Sequence, residues 1–144
     1  MRLRNLAVAG LLAVAAVGTG VGTAVASAPC TPNNACLYSD ANYQGGKFDN
    51  FNRQPNWGQV TYNNGIQLYR GDYVATNVSS LDNWDLAQNI RVFYNSQYRG
   101  ACFTVAAGGE VSNFAYVTLS DGTNANDRMN SHIFGGTCGN VYNF

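Results

Sequence analysis

At 144 residues the chain has room for one domain with a single modest core. Eight basic residues balance eight acidic ones and only 11% of the chain is charged, so it carries no electrostatic footprint for nucleic acid or an anionic membrane. Tyr, Phe, Val and Ile are spread through the chain from residue 27 onward, which is not a disordered composition.

The first element is a leader. Arg2 and Arg4 precede an apolar, glycine-rich run that ends in small residues, the layout of a secretory signal peptide. Cleavage is expected after Ala26, because a cut after Ala28 would place Pro29 first. Residues 1–26 are therefore read as signal peptide and 27–144 as one secreted, extracellular domain, without a membrane segment.

Cys30, Cys36, Cys102 and Cys138 follow, an even count that reads as two disulfides in an exported protein. Three pairings are open. The favoured one joins Cys30 to Cys36, stapling the N-terminal lead to the first strand, and Cys102 to Cys138, tying the chain end to the second half. Loop entropy predicts about 2 kcal/mol from the short loop and about 4 from the long one. A zinc site is disfavoured, since there is neither a C-x-x-C pair nor a second histidine.

Tyr38–Phe48, "YSDANYQGGKF", is echoed fifty-five residues later by Phe93–Phe103, "FYNSQYRGACF". Aromatics superpose at Tyr38 and Phe93, Tyr43 and Tyr98, Phe48 and Phe103, with glycine at Gly45 and Gly100. Each copy predicts a sharply folded hairpin, its glycine at positive φ and its aromatics packed over the fold. Between them, Gln59–Tyr62 and Ile66–Arg70 flank Asn63-Asn64-Gly65, a hairpin signal. The stretch 79–89, "SSLDNWDLAQN", predicts a short helical turn, with Asp82 and Asp85 on a loop. Strands are expected at Arg91–Tyr94, Cys102–Ala106, Glu110–Phe114, Tyr116–Leu119 and His132–Phe134. No apolar period of 3.6 residues is sustained after the leader. The fold class is all-β, a sandwich of two units, because one Greek key cannot bury its own apolar face.

Each copy also leads to a serine-ending hexad, Ala75–Ser80 ("ATNVSS") and Asn126–Ser131 ("NDRMNS"), whose serine can bond the folded hairpin's backbone. Aromatic-x6-Gly followed by such a hexad resembles the βγ-crystallin Greek-key signature. With the leader, the cysteines and "CLYSDANYQGG", the chain resembles the bacterial secreted peptidase inhibitor family with crystallin-like domains. That resemblance implies a βγ-crystallin-like sandwich of two Greek-key motifs, a non-enzyme and an inhibitor of extracellular metalloproteases. The expected partner is an extracellular protease, engaged by a loop in its active-site cleft.

Carried over from calcium-binding relatives, one site would join the Asn77 carbonyl, the Ser79 hydroxyl and the Asp127 carboxylate. The other would join the Arg128 carbonyl and the Asn130 amide oxygen to Thr76. Calcium takes six to eight oxygens and only one carboxylate is offered, so binding on the order of 0.1–1 mM or none is expected, with no cofactor required. A non-inhibitory calcium-binding or structural module is the alternative function.

Catalysis is disfavoured. His132 is the sole histidine and lies in an apparent strand, Glu110 is the sole glutamate, and no nucleophile accompanies Asp82 and Asp85. Trp57 and Trp84 are read as packing residues. The candidate inhibitory loops are Thr31–Ala35, Asn52–Gly58 and Thr118–Ala125, none with an evident apolar bait. A monomer is expected.

Overall fold

The computed structural model describes residues 29–144, so the leader and its cleavage site lie outside the described residues. Among the described residues eight strands form two four-stranded sheets: β1 (Ala35–Asp40), β2 (Gln44–Asn50), β3 (Ser80–Asn83), β4 (Ile90–Asn95), β5 (Arg99–Val105), β6 (Glu110–Val111), β7 (Ser131–Phe134) and β8 (Val141–Tyr142). The first sheet runs β2-β1-β3-β6, the second β7-β4-β5-β8.

The repeated sequence is a repeated geometry. In β1–β2, Tyr38 pairs with Lys47 and Asp40 with Gln44 across a register shift; in β4–β5, Phe93 pairs with Cys102 and Asn95 with Arg99 across an equivalent shift. Asn42, Tyr43 and Gly45 have φ of 57, 59 and 78°, matched by 60, 58 and 81° at Gln97, Tyr98 and Gly100. A left-handed tyrosine is disfavoured by its Cβ, so other contacts must hold it. Its ring packs edge-on against the aromatic five residues before it, at 5.8 Å for Tyr38–Tyr43 and 6.2 Å for Phe93–Tyr98. The hexad serine pins the backbone on both sides. Ser80 Oγ accepts from Tyr43 N–H and donates to the Asp40 carbonyl, and Ser131 Oγ does the same for Tyr98 and Asn95.

The two motifs exchange a segment. β6 of the second motif pairs with β3 of the first, while Gln54 of the first motif bridges to His132 on β7. Each motif therefore completes the other's sheet, and the core between them is shared. Trp57, Phe103, Phe114, Leu37, Leu81 and Val92 are fully buried there, with Phe103 and Phe114 edge-to-face at 5.1 Å. On β1 the alternation sends Ala35 and Leu37 into this core, and Cys36 and Tyr38 into a small second cluster with Cys30. The disulfides are Cys30–Cys36 and Cys102–Cys138, and β8 lies parallel to β5 behind the second.

Four expected elements need correction. Residues 80–83 form strand β3, so Asp82 is on a strand rather than a loop. Polar residues are tolerated there because Ser80 is pinned as described and Asn83 Nδ2 donates to the Gln88 and Ala106 carbonyls. The Asn63-Asn64-Gly65 turn forms, but its arms share a single bridge, Thr61 to Gln67, and Tyr116–Leu119 likewise carries only Thr118 to Asn124. Glu110–Phe114 is strand for two residues and then turns into a one-turn 3₁₀ helix, Phe114–Tyr116, capped by Asn113.

Candidate functional site: a disulfide-closed edge beside a hexad pocket

Thr31, Pro32 and Asn33 project into solvent inside the ring closed by Cys30–Cys36. Asp49 on β2 holds this loop from below. Its carboxylate accepts from Thr31 N–H at 3.1 Å, from the Thr31 hydroxyl at 2.8 Å and from the Asn34 amide, with Lys47 at 3.6 Å. Burial works to raise the Asp49 carboxyl, but the Asn34 and Thr31 hydrogen bonds and the Lys47 charge outweigh it and hold it below the usual range. Cys30, Cys36 and Asp49 form the one ligand-type cluster of such groups among the described residues, and the disulfide removes both thiolates from metal binding.

A second loop is locked to the first. Asn33 N–H donates to the Trp84 carbonyl at 3.1 Å and Trp84 N–H to the Asn34 carbonyl at 2.9 Å. Beyond Trp84, Asp85 is buried and accepts from the N–H groups of Ala87 and Gln88 at 2.8 and 3.0 Å. This turn carries Leu86 outward with 81% of its surface exposed. Asp85 is thereby committed to shaping a loop, with no part in a carboxylate pair for catalysis. Leu86 is the apolar side chain that the sequence reading missed. The signal was Asp85-x-x-Gln88, an aspartate able to close on N–H groups two and three residues ahead.

Of the other two loops, the first is tied into the fold and the second shows only polar residues at its tip. In Asn52–Gly58, Gln54 is bridged to His132, Pro55 accepts from Gln97 and Trp57 is fully buried. Thr118–Ala125 is a turn whose Leu119 and Ala125 point inward, leaving a polar tip at Ser120–Gly122.

The hexads place Asn77, Ser79 and Asp127 together. Ser79 Oγ donates to the Asn77 carbonyl at 3.0 Å and lies 3.3 Å from Asp127 Oδ1, while Asn77 Nδ2 donates to the Asp127 carbonyl at 2.8 Å. Burial raises the Asp127 carboxyl despite hydrogen bonds from Ser79 and Asn126. The Tyr62 hydroxyl is buried without a hydrogen-bond partner; burial, then the charges of Asp40 and Asp127, push its pKa up. The Asn77 carbonyl, the Ser79 hydroxyl and the half-buried Asp127 carboxylate bring three oxygens together, a set that fits a hard cation whose remaining ligands are water.

The Arg128, Asn130 and Thr76 set does not fit. Asn130 Oδ1 accepts from Trp57 N–H at 3.1 Å, and the Thr76 hydroxyl is buried without a partner. The Arg128 guanidinium lies 4.9 Å from the Tyr94 ring centre and 5.6 Å from that of Tyr73, so this side already holds a fixed cation. His132 is fully buried with both ring nitrogens engaged, by the Trp57 indole N–H and the Asn52 carbonyl, which leaves it no role as a base.

Comparison with known proteins adds the family. No curated protein matches the chain. A solved structure described as "Evolution of the eye lens beta-gamma-crystallin domain fold" superposes with a TM-score of 0.57 and 16% identity, over 76% of this chain and 92% of that one. A beta gamma crystallin from Ciona intestinalis gives a TM-score of 0.48 and 15% identity, over 69% and 96%. The first of these likenesses shows the βγ-crystallin fold, consistent with the paired hairpins and exchanged strands above. The family model for peptidase inhibitor family I36 matches residues 23–105, more than half of the sequence, and the chain belongs to that family.

Proposed function

We propose that the protein is an extracellular peptidase inhibitor directed at metalloproteases, and that it acts by presenting the joined edge Thr31–Asn34 and Trp84–Leu86 to the active-site cleft. The family supports an inhibitor with a protease as partner, and the two disulfides suit the extracellular space. One observation carries the choice of edge: two backbone hydrogen bonds fuse a disulfide-closed loop to a turn bearing an exposed leucine. A loop already held in one conformation loses little entropy on binding and resists cleavage. Leu86 offers the apolar side chain that metalloprotease specificity pockets favour. The test is titration of the oxidised protein against a thermolysin-type metalloprotease, with trypsin-like and subtilisin-like proteases as controls. Stoichiometric inhibition of the first alone is expected; inhibition unchanged in Leu86→Asp would sink the choice of edge.

A second reading is favoured by the Asn77, Ser79 and Asp127 convergence: a weak calcium site that stabilises the fold. It is compatible with inhibition and separable from it, since the hexads form a site of their own. Calcium-dependent melting, lost in Asp127→Ala, tests it.

A further inference from the structure

Between the two joined loops lies a groove of about 590 Å³, within the range of ligand-sized clefts, roughly 300–1,000 Å³. Pro32, Trp84 and Leu86 wall it, and Asp82 and Glu110 also line it. The two acids are direct cross-strand partners on β3 and β6, an arrangement of like charges that costs stability. The groove lining includes no basic residue. Trp84 Nε1–H donates to Asp82 Oδ2, which fixes the indole beside the carboxylate and leaves 40% of the tryptophan exposed.

We propose that this groove receives an arginine side chain presented by the partner protein, its guanidinium stacked on Trp84 and paired with Asp82 and Glu110. The proposal rests on the reading of Thr31–Asn34 and Trp84–Leu86 as the protease-facing edge, and it names the feature that edge selects on the protease surface. Charge complementarity argues for a cation: two adjacent carboxylates with no counter-charge gain most from a positive group. A plane of aromatic surface beside them suits a guanidinium, which stacks and offers paired N–H donors, better than an ammonium. The apolar wall suits the aliphatic stem of such a side chain. Electrostatics agree, since burial first and the Glu110 charge with it raise the Asp82 carboxyl against the indole hydrogen bond. The Tyr43 hydroxyl is likewise pushed up, by burial and then by Glu110.

The test needs no protease. Isotope-labelled mature protein is titrated with N-acetyl-arginine amide, and with N-acetyl-citrulline amide as its neutral isostere, at low ionic strength. Saturable shifts are expected at the Trp84 indole N–H and at the Asp82 and Glu110 amides, at least tenfold weaker with citrulline and suppressed by half-molar sodium chloride. Glu110→Gln, at a half-buried position, should keep the native spectrum and weaken arginine binding severalfold; Asp82→Asn with Glu110→Gln should abolish it. Equal responses to the two ligands, or no response at these three groups, would overturn the proposal. Because inhibition is assayed separately, a failed inhibition assay with intact arginine binding would refute the inhibitory edge alone.

Discussion

The indole N–H of Trp57 donates to Nδ1 of His132 at 3.0 Å, linking residues 75 positions apart in the two motifs. Nε2 lies 3.1 Å from the Asn52 carbonyl, so the neutral tautomer with hydrogen on Nε2 satisfies both contacts. Protonating Nδ1 would set two donors against each other in a fully buried site.

Burial accordingly pushes His132 down from 6.5 to about 4. The folded state thus resists a proton that the unfolded chain takes up below 6.5. The stabilisation is fully present above that pH and declines as pH falls toward 4, by about 1.4 kcal/mol per unit within the window. Urea melts at pH 7.5, 6 and 5 should show the loss. Since the chain has one histidine, an imidazole resonance that titrates near 6.5 would refute this account.

The folded hairpins should be the most substitution-sensitive turns. A Cβ at Gly45 would collide with the Ser39 hydroxyl, and one at Gly100 would lie 2.7 Å from the Asn95 amide nitrogen, both at positive φ. Either change to alanine should cost about 2–4 kcal/mol. Ser131→Ala, which orphans Tyr98 N–H and the Asn95 carbonyl, should cost about 1–3 kcal/mol. Equilibrium denaturation checks all three, and near-neutral values would mean that the hairpin is held elsewhere.

These same residues show what the sequence made legible. Aromatic spacing and glycine placement are local requirements of a hairpin whose chain turns left-handed, so Tyr43, Gly45, Tyr98 and Gly100 announce the fold in one dimension. β3 does not announce itself. Its Ser, Asp and Asn read as a turn, and only carbonyls outside the strand, at Asp40, Gln88 and Ala106, make the serine and asparagine side chains acceptable there. The edge carrying Leu86 was hidden for the same reason, because its partner loop is fifty residues away. The Asp127, Ser79 and Asn77 grouping was legible through the resemblance, whereas the commitment of Asn130 to Trp57 depends on the exchanged segment.

The disulfides should separate stability from binding. Opening Cys102–Cys138, which closes 36 residues, should cost about 4 kcal/mol, and opening Cys30–Cys36, which closes six, about 2. If Thr31–Asn34 belongs to the inhibitory edge, the milder lesion should do more harm to inhibition. Paired Cys→Ala variants, compared by melting and by Ki on protein still folded at the assay temperature, decide between these roles.

Calcium should act through Asp127. With a dissociation constant on the order of 0.1–1 mM, 10 mM calcium would stabilise the fold by roughly 1.4–2.7 kcal/mol. That corresponds to a rise of roughly 5 °C or more in Tm, absent in Asp127→Ala. Magnesium should do less, because it prefers a smaller and more regular shell. A calcium shift that persists in the variant would place the ion elsewhere.

Leu86→Asp asks whether the exposed leucine serves binding alone. At 81% exposure the side chain contributes little to the core, so melting should change by no more than about 0.5 kcal/mol. As an anchor in an apolar specificity pocket, its loss should cost about 2 kcal/mol of binding, or roughly thirtyfold in Ki. The aspartate would also bring another negative charge toward Asp82 and Glu110, so Leu86→Ala is the cleaner companion and should fall between the two. A dissociation rate that rises in both variants, with the association rate nearly unchanged for alanine, would mark Leu86 as a contact within the complex. Unchanged kinetics in both would move the inhibitory edge to another loop, and the polar tip at Ser120–Gly122 would be the next to substitute.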